Sequence, residues 1–348
     1  MTTRTEFIPV SPEKLSALPD GAIVVHADPD GYENIMAQTH DFFRKLYAKA
    51  QQEHTRCYVV GYPNGVDRIA LKLEHTNLIF GDLKAGRVPA LHLRPSYLCG
   101  FWYMDAYGVY ARSSIGERSF RAHEIDTEAA TYFFNAVSGS HISENKSKST
   151  QPPVTGWIPS AKAVVFLQDG SPGITAEPYL ATHEMIAHVA HSTDERIYVK
   201  CHPNASAADR LHARHVCSQF DHVEITEQSV HALIRASAYV VTQNSAAGFE
   251  ALMQKKPVIT CAPCDYHEAT YVARDYAGVE HALNQGATLL KSFSYEAYFY
   301  WFMAHHMLEP QMDEFETRVW ARIAALREAQ DQLIHRKYAD GSSRAVMR

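Results

Sequence analysis

Between residues 163 and 262 short apolar runs alternate with helical patterns, and this constrains the fold more than any other feature of the chain. AVVFLQ (163–168), RIYVKC (196–201), HVEIT (222–226), YVVTQ (239–243) and PVITCA (257–262) read as strands. Helical patterns separate them: from about Pro178 to His191, from about Ser206 to Phe220, over VHALIRAS and over AGFEALMQ. Pro178 sits where a first-turn proline is tolerated, and Tyr179, Ile186 and Val189 then share one side of that helix. Strands separated by helices form a parallel sheet covered on both faces.

The N-terminal part begins in the same style. GAIVVHAD (21–28), RCYVVGY (56–62) and NLIFGD (77–82) are apolar runs closed by Gly, Tyr or Asp, with a helical pattern, NIMAQTHDFFRKLYAKAQQ, between the first two. The aromatic stretch YLCGFWYMDAYGVYARSSI gets no element assignment. SENKSKSTQPP (143–153), polar and ending in a proline pair, reads as a linker. Tyr295 to His335 is expected to be one amphipathic helical segment. A chain of 348 residues exceeds the usual size of a single core. The expected division is therefore an N-terminal α/β domain over 1–142, a linker over 143–155, a Rossmann-like domain over 156–295 and a helical segment over 296–348. Two such halves leave an interdomain cleft, and ligands bind outside the carboxyl ends of the strands.

Composition excludes several classes. The formal charge of −6 argues against a nucleic-acid binder, which needs a basic surface. No segment reaches the roughly 20 apolar residues of a membrane span, and MTTRTEFIPV lacks the pattern of a secretory signal. Six cysteines without paired spacing fit a reducing cytoplasm. The basic tail HRKYADGSSRAVMR reads as a frayed end or as a peripheral contact with the inner membrane, and the partners expected besides donor and acceptor are the membrane surface or polysaccharide-assembly proteins.

Two strand ends carry chemistry. After YVVTQ the chain breaks at Asn244-Ser245 and restarts as a helix, where backbone N–H groups point outward without partners. Ser245 either caps that helix or donates its hydroxyl to a phosphate. Ala246 and Ala247 keep the approach open, and Gly248 permits close packing of helix on sheet. RIYVKCHPN brings Lys200, His202 and Asn204 to the same sheet edge, and His donates a hydrogen bond when neutral and adds a charge when protonated. Glu250, one turn into the second helix, is placed either to reach a ribose hydroxyl or to sit as a solvated or helix-dipole residue.

A strand ending in Lys-x-His-Pro, then a strand ending in Asn-Ser, a helix with Gly-Phe-Glu-Ala-Leu, and Lys-Pro-Val-Ile-Thr together resemble the bacterial capsule polysaccharide synthesis proteins, including Kdo transferases. GSPGI at 170–174 looks like a phrase of those transferases, and the resemblance spans roughly residues 160–275. It implies a GT-B-like fold of two Rossmann-like domains, with the N-terminal one on the acceptor side. It also implies transfer of a sugar from a nucleotide-activated donor, often a CMP-linked acidic sugar, to a glycan or glycolipid acceptor; because helix N–H groups, a hydroxyl and His202 can stabilise the departing phosphate, no metal or cofactor is expected. By the same resemblance His202 and the Ser245 region hold the donor phosphate.

Transfer to a hydroxyl needs a carboxylate to take its proton. Asp169 is the acid at the end of LQDGSPG, and the family carries an acid just after a Gln there, with a longer interval to the following glycine. Gln168 and Ser171 are then donor contacts. Asp105, in FWYMDAYG, is the competing base, and it also reads as a turn aspartate before Gly108. Asp265, Tyr266 and His267 follow PVIT and are placed to face the donor. Two metal-like patterns are set aside. His183 and His188 in THEMIAHVAH lie five residues apart where a zinc helix needs four, and CAPC (261–264) has no second cysteine pair. Two other functions remain open: a glycerophosphotransferase using a CDP-glycerol-type donor, and a nucleotide-sugar-binding protein without a base.

Overall fold

A computed structural model describes residues 7–63, 68–154, 156–168 and 176–345, with side chains described as far as residue 336. Six strands open the chain: β1 (Ile8–Pro9), β2 (Ile23–Ala27), β3 (Cys57–Gly61), β4 (Thr76–Phe80), β5 (Leu91–Pro95) and β6 (Trp102–Asp105). Between β2 and β3 run α1 (Pro29–Met36) and α2 (Asp41–Gln52). The expected single helix there is split, because Gln38 turns the chain at φ 56° and Asp41 starts a new helix. Then follow α3 (Thr127–Ser143), β7 (Ala161–Phe166), α4 (Thr182–His191), β8 (Ile197–Lys200), α5 (Ala207–Cys217), β9 (Val223–Ile225) and α6 (Val230–Ala236). The remainder is β10 (Ser237–Thr242), α7 (Ala246–Leu252), β11 (Val258–Thr260), β12 (Tyr271–Val272), α8 (Tyr276–Leu290), α9 (Tyr295–Tyr300) and α10 (Phe315–Ala345).

Two compact units result: residues 1–95, 100–109 and 307–348 form one, and residues 96–99 and 110–306 the other. In the first, the strand order is β1-β3-β2-β4-β5-β6, parallel except for β6 against β5. Successive residues of β2 enter different cores, as a period of two on a doubly covered sheet requires. Ile23, Val25 and Ala27 meet Phe42, Phe43 and Leu46 of α2, whereas Val24 packs with Tyr58, Val60 and Ile79. The C-terminal helix belongs here. Its Phe315, Val319, Ile323 and Leu326 recur at helical spacing and pack into the α2 side of the sheet. The continuous helix expected over 295–335 is interrupted, because Leu308 pairs with Trp102 as an isolated bridge before Pro310.

In the second unit all six strands are parallel, in the order β12-β11-β10-β7-β8-β9. The expected two α/β units, each with a Rossmann-like parallel-dominated sheet, are what the chain forms. One face of β7, through Ala163, Val165 and Leu167, packs with Met185, Ile186 and Val189 of α4 and Val279, Ala282 and Leu283 of α8. Helix α4 starts four residues later than Pro178. The preceding Tyr179 and Leu180 instead donate their N–H groups to the Cys261 carbonyl at 2.9 and 3.3 Å. Elsewhere in this unit is an aromatic cluster in which Phe249 of α7 meets Tyr97, Phe299 and Phe302, at centroid distances of 5.2, 5.7 and 4.8 Å.

The linker expected over 143–155 is part of the second unit. Its first residue ends α3, which packs on α9 through Phe134 and Phe299. Beyond α3, Ser229 donates to Asn145, His231 bonds the Lys146 carbonyl at 2.6 Å, and Val230 N–H donates to Gln151 at 3.0 Å. Polar composition resembles that of a linker, but here the polar side chains meet helix α6.

Candidate functional site in the second unit

The order of the second sheet singles out a candidate site before any side chain is considered. Strand β7 lies at its centre; the chain then goes to β8 and β9 on one side and returns to β10, β11 and β12 on the other. β7 and β10 are therefore the neighbours at which the direction of winding reverses, and ligands of open α/β sheets bind outside the carboxyl ends of such a pair.

Gln168 follows β7, and Asn244 and Ser245 follow β10. Gln168 Nε2 donates to Asn244 Oδ1 at 2.9 Å, and Asn244 Nδ2 donates to the Pro263 carbonyl beyond β11 at 3.0 Å. Three adjacent strand ends are thus tied through one amide. Ser245 caps α7, its Oγ accepting from Ala247 N–H at 3.3 Å, which leaves the hydroxyl proton to be donated. Its own N–H donates to Thr242 Oγ1 at 3.3 Å, and that hydroxyl donates to the Phe166 carbonyl of β7 at 3.0 Å. Ser245 and Ala246 are partly exposed, whereas Asn244 is buried.

On the other side of β7, the turn after β8 is held by one arginine. Arg210 of α5 donates to the carbonyls of His202, Pro203 and Ala205 at 3.0, 2.9 and 3.3 Å. Asn204 N–H donates to His202 Nδ1 at 3.2 Å, so the neutral ring carries its proton on Nε2, as a hydrogen-bond donor. His202 is half-buried and Asn204 exposed. Lys200 is turned away toward the β9 end, where its Nζ donates to the Glu227 carbonyl at 3.2 Å and lies 3.8 Å from that residue's carboxylate. Burial pulls its ammonium below the ordinary value, and Glu227 opposes that. Lys200 therefore shares the strand end with His202 while its charge is already engaged.

Glu250 lies deeper than a surface helix position. It is fully buried; Oε1 accepts from Ser147 Oγ at 2.7 Å and Lys148 N–H at 3.4 Å, and Oε2 finds no donor among the described residues. Burial raises its pKa to about 7, with the two hydrogen bonds and Lys148 opposing. Asp265 is buried too, accepting from the hydroxyls of Tyr97 and Ser113, each at 2.7 Å. Tyr266 is fully buried and His267 partly so, with its Nδ1 on the Cys264 carbonyl at 3.0 Å. Asp105 lies in the first unit, where Oδ1 accepts from Tyr107 and Gly108 N–H at 2.7 and 3.2 Å and so shapes the turn after β6. Asp169 and Ser171 lie outside the described residues.

Cys261 and Cys264 are buried, and burial raises both thiols, that of Cys261 to about 12, so they remain protonated at neutral pH. Among the described residues no group of three or more His, Cys, Asp and Glu side chains is arranged to hold a metal ion.

One residue at a strand end was not singled out from the sequence. Asp28 closes β2 of the first sheet, its carboxylate accepting from Gly31 and Asp82 N–H at 2.7 and 3.0 Å. An acid followed by Pro at a strand end was the available signal. Tyr266 was named only as a donor contact, and no local pattern relates it to Ser245.

Residues 175–306 match the family model described as capsule polysaccharide biosynthesis protein. The match covers 132 of the 348 residues, all within the second unit. It contains β8, β10, α7 and the turns that follow β8 and β10. A comparison with curated proteins finds no match. Among solved structures, the β-Kdo 2,4 transferase KpsC of Thermosulfurimonas dismutans is 16% identical, with a TM-score of 0.46, covering 74% of this chain and 84% of that one. Its β-Kdo 2,7 transferase counterpart is 14% identical, with a TM-score of 0.44, covering 74% and 88%. The UDP-GlcNAc 2-epimerase of Methanocaldococcus jannaschii, solved with UDP-GlcNAc and UDP, is 9% identical, with a TM-score of 0.35, covering 87% and 99%. Among the described residues no helix is long and apolar enough to cross a membrane.

Proposed function

We propose that the chain is a glycosyltransferase of capsule or surface polysaccharide synthesis, moving a sugar from a nucleotide-activated donor to a glycan or glycolipid acceptor. The observation that carries this reading is the arrangement of Gln168, Asn244, Ser245 and His202 about the winding reversal of a sheet whose segment matches the capsule family. His202 and Ser245 are separated by the one strand β7, about 10 Å across the sheet. A long imidazole and a short hydroxyl, approaching from either side, fit a phosphate above the end of β7.

When the bond between sugar and phosphate breaks, negative charge grows on the departing phosphate. Fixed donors, the Ser245 O–H and the His202 Nε2–H, then stabilise the transition state more than the bound donor. Asp169, directly after Gln168, takes the proton of the acceptor hydroxyl. Lys200 contributes field but no direct contact, because its ammonium is held by Glu227. By the family resemblance the donor is a CMP-linked acidic sugar, and the site is cytoplasmic.

A panel of CMP-, CDP- and UDP-linked donors tests this reading. Sugar transfer from at least one of them is expected. Turnover of CDP-glycerol alone would make the chain a glycerophosphotransferase, and nucleotide binding with no turnover of any donor would leave a binding protein.

A further inference from the structure

The Ser245 carbonyl accepts two hydrogen bonds, from Gly248 N–H at 3.0 Å and from the Tyr266 hydroxyl at 2.8 Å. The first closes the opening turn of α7. The second comes from a residue 21 positions along the chain, on the loop after β11. Tyr266 is itself immobilised: it is fully buried, and its ring lies edge-on to Tyr97 and Phe249 at 5.1 and 5.6 Å. A hydroxyl carried by so constrained a ring fixes where the Ser245 peptide stands.

Gly248 makes room for this contact. A Cβ at that position would lie 2.6 Å from the Tyr266 hydroxyl oxygen and 2.9 Å from Thr242 Cγ2. Both are groups that hold Ser245, since Thr242 Oγ1 also accepts the Ser245 N–H. The same helix carries Glu250, fully buried, with one carboxylate oxygen lacking a donor among the described residues. A buried acceptor left unmatched inside a protein is costly, so α7 holds Glu250 in place against that cost.

We propose that Tyr266 is a positioning residue for the donor site: through its hydroxyl it sets the Ser245 peptide, and Gly248 is a glycine because that hydroxyl occupies the space of a side chain. The inference rests on the reading of Ser245 as a phosphate contact. It goes beyond it in placing the control of that contact on the loop after β11. Tyr266 does not touch the phosphate; it determines the angle at which the Ser245 hydroxyl is presented.

Tyr266→Phe keeps the ring and removes only the hydroxyl. Titration with CMP, CDP and UDP is expected to show affinity for the bound nucleotide reduced about two- to tenfold, the range for one lost hydrogen bond. Gly248→Ala is expected to weaken binding further, and the double variant G248A/Y266F to bind better than G248A alone, because the oxygen that the new methyl strikes is gone. Thermal unfolding of each variant accompanies the titrations. A purely structural tyrosine would lower Tm while leaving the affinity of the folded protein unchanged. Equal affinity in wild type and Y266F, or no recovery in the double variant, would overturn the proposal and leave the donor site standing. If the wild type binds none of the three nucleotides, the donor-site reading falls and this inference with it.

Discussion

At pH 8 the Glu250→Gln variant is expected to be more stable than wild type by about 3 kcal/mol, and near pH 4 the two are expected to be equal. The sign follows from the direction of the shift. Burial raises the Glu250 pKa from 4.5 to about 7, so between those values the folded protein binds more protons than the unfolded chain. That contribution is fully present below 4.5 and lost as pH rises through 7. Gln keeps an acceptor for Ser147 and Lys148 and does not titrate, so its stability curve lacks this fall. His26 acts in the opposite sense. Fully buried between Tyr62 and Asn77, it is pushed down to about 4, so it costs stability as pH falls from 6.5 toward 4. This slope is common to both proteins, and their difference isolates Glu250. Chemical denaturation of both proteins at pH 4, 6 and 8 checks it; parallel curves would show that Glu250 ionises freely in the folded state.

Asp169→Asn is expected to lower kcat by about 10² to 10⁴-fold while donor affinity stays near wild type, since the amide keeps the shape and loses the proton acceptor. This corresponds to ~3 to 5 kcal/mol of transition-state stabilisation. Asp105→Asn is expected to do much less. Its Oδ1 already accepts two backbone N–H groups in the turn after β6, and an asparagine oxygen serves them equally. Steady-state kinetics with the donor found active in the panel separates the two. A large loss in Asp105→Asn with little in Asp169→Asn would move the base to the first unit.

Five strands of the second sheet were legible because each is a short, mostly apolar run bounded by helical periodicity, whereas β12, two residues long, is too short for local pattern to mark. The positions of His202, Asn244 and Ser245 at strand ends were legible for a related reason: a strand end is where polar residues interrupt an apolar run. Contacts made by chain return were hidden. Asp265 meets Tyr97 across 168 positions, and no periodicity signals that pairing. The same applies to α10, which reads as an amphipathic helix without any indication that its apolar stripe packs against α2. SENKSKSTQPP misled for a different reason. Its polar side chains satisfy partners on α6 and the buried Glu250, and a hydrogen-bonded polar segment has the same composition as a solvated one. Glu250 reads either as a ribose contact or as a solvated acid because helix position alone does not reveal burial, and its orphan oxygen is visible only in three dimensions.

Calorimetric titration of CMP into wild type, His202→Ala and Ser245→Ala tests the central claim most directly. Each side chain is at the end of a strand and only partly buried, so both variants are expected to fold. Each loses one charge-assisted hydrogen bond to phosphate, about 1.5 to 3 kcal/mol, so Kd is expected to rise by roughly ten- to a hundredfold in both. CMP affinity equal to wild type in both variants would contradict a phosphate site shared by the β8 and β10 ends.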